Sequence, residues 1–178
     1  MTRVFVGAAA AFVAATQLAC TAPLNWREVR PPGSGLTALF PCRTDHHERR
    51  VALAGAAATM QMHVCETAGL TFAVSFVEMD SPQRVARGLL ELQALAGSNI
   101  GASATPLQAL QALQVPGMTP HGSAGMLSLA GRLPGGSPVR LRAAFFTHGL
   151  RVFQATVIGV DAGDEAAQPF FTALKQAP

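Results

Sequence analysis

The last third of the chain alternates apolar and polar residues with a period of two, and this alternation limits the possible folds more than any other feature. Met126 to Leu133 forms the first such run. Pro134-Gly135-Gly136-Ser137-Pro138 follows, a turn with two glycines free to take positive φ. Val139, Leu141, Ala143 and Phe145 then alternate with Arg140 and Arg142, and the run continues to Thr147. His148-Gly149 signals a tight turn. Leu150 to Ile158 returns, with Val152, Gln154, Thr156 and Ile158 on one face and Arg151, Phe153, Ala155 and Val157 on the other. Turns this short join antiparallel neighbours.

The first half reads the same way. Leu36 to Phe40 is a short strand that stops at Pro41, and a second spans about 47–54. Gly55-Ala56 offers a turn. From Thr59 to Cys65, Met60, Met62 and Val64 alternate with Gln61, His63 and Cys65. Leu70 to Val77 places Phe72, Val74 and Phe76 on one face. Ser81-Pro82 supplies a capping hydroxyl and a proline at the first helical position. Val85, Leu89 and Leu92 make the buried stripe of the helix that follows, Arg87 and Glu91 stand four apart on it, and Gly97 ends it. Thr105-Pro106 with Leu107, Leu110 and Leu113 suggests a second short helix, and Gly163-Asp164 opens a terminal one with Ala167, Phe170, Phe171 and Leu174 inside. The expected fold is α+β, a single antiparallel sheet of about six or seven strands flanked by two or three helices.

The N-terminus reads as an address. Arg3 precedes an unbroken apolar run, Val4 to Ala15, followed by small residues. That order is a secretory signal, and the run is too short to span a membrane. Gln17-Leu18-Ala19-Cys20 is similar to a bacterial lipoprotein box, although Gln17 stands where such boxes have Leu. An ordinary cut after Ala19 places Gln17 at −3, and a cut after Ala22 places Pro23 next. The lipoprotein reading is therefore favoured, with 1–19 a signal peptide, Cys20 lipidated, 20–35 a Pro- and Gly-bearing tether and 36–176 one domain. Its expected place is the periplasm, at a membrane surface. With Cys20 committed, Cys42 and Cys65 remain as an even pair, which reads as a disulfide in an oxidising compartment.

Phe40-Pro41, the segment Gly149-Leu150-Arg151-Val152-Phe153-Gln154 and the closing Phe170-Phe171-Thr172-Ala173-Leu174-Lys175 together resemble a group of uncharacterised bacterial secreted proteins. Those proteins resemble the PsbP/Mog1/DcrB type of α/β/α sandwich, and the likeness spans about 26–176. It implies one antiparallel sheet between helices and a non-enzymatic envelope role. Where such chains often carry Gly after Phe-Pro, this one has Cys42.

Several function classes lack their residues. No apolar stretch is long enough for a polytopic membrane protein. Net charge is only +3 and the arginines are scattered, so no nucleic-acid footprint is present. Tyr is absent and Trp26 is the single tryptophan, so an aromatic stacking platform for bases or sugars is poorly supplied. Neither a P-loop nor a dinucleotide fingerprint occurs, so no cofactor is expected. His121 and His148 sit in glycine-flanked turns, and Ser123 and Ser128 exist, but there is no G-x-S-x-G elbow and carboxylates are scarce, which makes a hydrolase the weakest reading. Two candidate sites are left. Asp45-His46-His47-Glu48 offers metal donors, with His46 or His47 needing His63 from a neighbouring strand because adjacent strand residues point to opposite faces. Arg140 and Arg142, with Arg132 across the Gly-Gly turn, offer a patch for an anionic partner. The sequence thus favours a non-catalytic, tethered module that binds an envelope protein, with a small-ligand or metal-binding periplasmic protein as the alternative.

Overall fold

The computed structural model describes residues 24–102 and 110–177; the segment expected to be a signal, with Cys20, and Leu107 of the second expected helix lie outside them. Nine strands and two helices follow in the order β1 (Arg27–Val29), β2 (Leu36–Phe40), β3 (Asp45–Leu53), β4 (Ala56–Thr67), β5 (Leu70–Glu78), α1 (Pro82–Ser98), β6 (Gly125–Arg132), β7 (Pro138–His148), β8 (Arg151–Gly159), α2 (Asp164–Thr172) and β9 (Lys175–Gln176). Six strands form one antiparallel sheet in the order β3-β4-β5-β8-β7-β6. It is two hairpin meanders, β3-β4-β5 and β6-β7-β8, joined through the β5–β8 pair.

Both faces of this sheet are covered. Val85, Leu89, Leu92 and Ala96 of α1 pack with Val77, Leu141, Ala143, Phe145 and Val152 on one face. On the other, Leu36, Ala38 and Phe40 of β2 and Phe170, Phe171 and Leu174 from the α2 end pack with Phe72, Val74, Phe146, Phe153 and Ala155. The central strands β5 and β8 therefore bury side chains on both sides, which their near-continuous apolar runs require. Phe153 stacks on Phe146 with ring centroids 4.9 Å apart and on Phe76 at 5.7 Å.

The expectation of one sheet flanked by two or three helices is overturned. The described chain is mostly β, with a second, three-stranded sheet in the order β1-β2-β9 and only two helices. The residues taken as a tether contain β1, whose Arg27, Glu28 and Val29 pair with Phe40, Leu39 and Ala38. β9 pairs Gln176 with Leu36 and Lys175 with Thr37, so the last described strand closes on β2. Both strands are too short to show a period. Of the second expected helix, the described part is extended: Gln111 forms a bridge with Met126 at the edge of β6. Pro116 leaves too few residues for a stable helix there, and the unpaired edge of β6 offers the backbone another partner.

Local details depart from expectation where polar groups find stronger partners. Ser81 does not cap α1; its hydroxyl donates to Asp80 Oδ1 at 3.2 Å. Glu91 accepts a 2.7 Å hydrogen bond from the Ala54 N–H, which ties α1 to the β3–β4 turn rather than to Arg87. That turn is Ala54-Gly55, one residue earlier than the sequence suggested, and Ala68-Gly69 joins β4 to β5 in the same way. All four residues have positive φ, 51° at Ala68 and 72° at Gly69. A left-handed alanine costs roughly 1–2 kcal/mol, whereas Asn suits the first position of such a turn. Ala68 is exposed. Ala68→Asn is therefore expected to raise stability by about 0.5–1 kcal/mol, read as a higher midpoint in thermal unfolding; an unchanged or lower midpoint contradicts the strain assigned to this turn.

Candidate functional site

The alternation of β7 places Arg140 and Arg142 on the sheet face that carries α2. In register, Arg140 stands opposite Gly159 and Ala130, and Arg142 opposite Val157 and Ser128. Gly159, Ala130 and Ser128 are small, which leaves room above the sheet. A cleft of about 750 Å³ opens there, lined by Arg140, Arg142 and Ser128 from the sheet, Gly163 and Gln168 from the α2 end, and Gln111 from the edge. The Arg142 guanidinium carbon lies 5.5 Å from the centre of the Phe171 ring, a cation–π contact that fixes where its charge sits. Arg140 is exposed.

Arg132 faces the same side of the sheet, opposite Pro138, but does not line the cleft. Its Nη1 donates to the Gly136 carbonyl at 2.8 Å and closes the β6–β7 turn. Of the three arginines expected to form a patch for an anionic partner, two are brought together and the third has a structural task. Gln168, Gln111 and Gly163 carry no sequence signal that would have joined them to the site, because Gln168 and Gly163 reach the cleft through the packing of α2 and Gln111 through its bridge with Met126 at the edge of β6.

The second candidate set divides between faces. His46 pairs directly with His63 across β3 and β4, whereas His47 pairs with Met62 on the opposite face. The His46 and His63 rings stand 4.8 Å apart, centre to centre, with planes inclined by 32°. His63 is 7% exposed and its Nε2 has no hydrogen-bond partner. Burial, and then the neighbouring His46, lower the His63 pKa below the usual imidazole value, so the ring is neutral at pH 7. Among the described residues no group of three or more His, Cys, Asp or Glu is placed to hold a metal ion.

Cys42 and Cys65 are joined in a disulfide, as the cysteine count suggested. It fastens the end of β2 to β4, one strand pleat from His63, and so holds the small sheet over the large one. The glycine-flanked histidines have structural partners. His121 Nδ1 accepts from the Ser123 N–H at 3.1 Å, and His148 Nδ1 lies 2.9 Å from the Gly117 carbonyl, an acceptor that requires the proton on that nitrogen.

No helix among the described residues is long and apolar enough to cross a membrane. Neither a protein-family model, nor a curated protein, nor a solved structure matches this chain.

Proposed function

We propose that this protein is an exported, non-catalytic binding module, held at a membrane surface through a lipid on Cys20, whose arginine cleft takes an acidic segment of an envelope protein. The observation that carries this reading is the cleft itself: Arg140 and Arg142 line an open space of about 750 Å³ bordered by Ser128 and Gln168. A guanidinium fork matches a carboxylate in two parallel hydrogen bonds, and a neighbouring hydroxyl and amide supply further polar contacts. An open cleft suits a chain passing through it better than an enclosed small molecule.

The export signal read from the sequence and the disulfide support binding in an oxidising compartment. Intact mass of the protein from its own envelope tests the address, because lipidation adds a diacylglyceryl increment to a chain that starts at Cys20; a mature chain without it contradicts the tether. Charge reversal tests the cleft. With a short Glu-rich peptide as probe, Arg140→Glu is expected to weaken binding about tenfold or more, a loss of about 1.4 kcal/mol or greater. Arg132→Glu, outside the cleft, should leave it within a factor of about three. Calorimetry at low and physiological salt reads both, and equal affinities for the two variants would sink the assignment.

A further inference from the structure

At the other edge of the same sheet face, far from the cleft in strand order, stands the His46–His63 pair. Three observations set it apart from the usual surface histidines. The two residues are direct cross-strand partners, so the backbone ladder holds their Cβ atoms together on one face. Two imidazoles bound cis to one ion through nitrogen–metal bonds of about 2.0–2.1 Å place their ring centres roughly 4.5–5 Å apart, and this pair already stands at 4.8 Å. The buried Nε2 of His63 has no other partner to give up.

We propose that His46 and His63 form a chelating site for a copper(II) ion. Imidazole nitrogen suits late divalent ions, and copper(II) heads the affinity order for such donors. Two protein ligands leave the remaining positions to water. The site is therefore open and exchangeable rather than a closed structural centre. His63 sits on β4, which the Cys42–Cys65 disulfide anchors, and so supplies the fixed arm. His46, exposed on the edge strand β3, supplies the adjustable one. This proposal is independent of the arginine cleft, since the two sites share no residue.

The test uses the untagged mature chain, stripped with a chelator and titrated with copper(II) sulfate by calorimetry and electron paramagnetic resonance. The expected result is one copper per chain with hyperfine structure from two equivalent imidazole nitrogens. His46→Asn, at an exposed position, should lose that signature and weaken binding at least about tenfold. His63→Asn should do the same, and if that buried variant fails to fold, the His46→Asn result decides the matter alone. His47→Asn, on the opposite face, should behave as the unaltered chain. Absence of a bound copper signal, or equal binding by the unaltered chain and His46→Asn, overturns the site.

Discussion

Replacing Phe153 by alanine is expected to cost about 3–5 kcal/mol, the usual range for a large aromatic removed from a packed core. Phe153 sits in β8 at the centre of the six-stranded sheet and is fully buried. Its ring lies on Phe146, 4.9 Å away and parallel within 2°, and on Phe76, 5.7 Å away. Each aromatic contact adds about 0.5–1.5 kcal/mol beyond the area it buries. The two meanders meet through β5 and β8, and Phe153 pairs in register with Phe76 on one side and Phe146 on the other. The cavity therefore opens at the junction of the two halves, where neither half can collapse into it alone. Domains of this size hold together by about 5–15 kcal/mol, so the loss removes a large share. Urea unfolding followed by circular dichroism reads it as a much lower midpoint. Leu150→Ala, in the exposed β7–β8 turn, should shift the midpoint little. A Phe153→Ala cost below about 1.5 kcal/mol contradicts this account of the core.

The second large effect belongs to the disulfide. Cys42 and Cys65 are 23 residues apart in sequence, and closing a loop of that size stabilises by about 3 kcal/mol in the chain-entropy model. β3 and most of β4 lie within the loop, and its ends join β2 to the large sheet. β2 also buries Leu36, Ala38 and Phe40, so the small sheet keeps an apolar hold when the bond is cut. The expected outcome is a protein that still folds but unfolds at lower denaturant, with backbone amides of β1 and β2 exchanging faster than those of β5 and β8. Cys42→Ala with Cys65→Ala, compared with the unaltered protein under oxidising conditions, measures it. A double variant of unchanged midpoint shows that the bond constrains little.

Strands of eight or more residues were legible in the sequence because alternation repeats often enough to be seen; β7 and β8 are the clearest cases. β1 and β9, of three and two residues, carry no period and exist only because each finds β2 as a partner. The same reason explains why the described end of the second expected helix, from residue 110 on, is not helical. The residues around Leu110 and Leu113 carry helical spacing, yet pairing of Gln111 with Met126 decided the outcome. Propensity is a weak prior where an unpaired strand edge competes for the backbone. The candidate sites show the same division. Facing arginines on β7 followed from strand parity, as did the separation of His47 from His46. The direct opposition of His46 and His63 needed the register, and the contribution of Gln168 and Gly163 needed the packing of α2, which no local pattern encodes.

The arginine cleft is the central claim, and a chemical-shift titration tests it most directly. Uniformly labelled mature chain, with Cys20→Ser to keep it in solution, is titrated with a short Glu-rich peptide. The account predicts amide shifts concentrated at Ser128, Arg140, Arg142, Gly163 and Gln168, abolished in Arg140→Glu and absent around His46 and His63. Shifts that fall elsewhere, or that persist unchanged in Arg140→Glu, would contradict it.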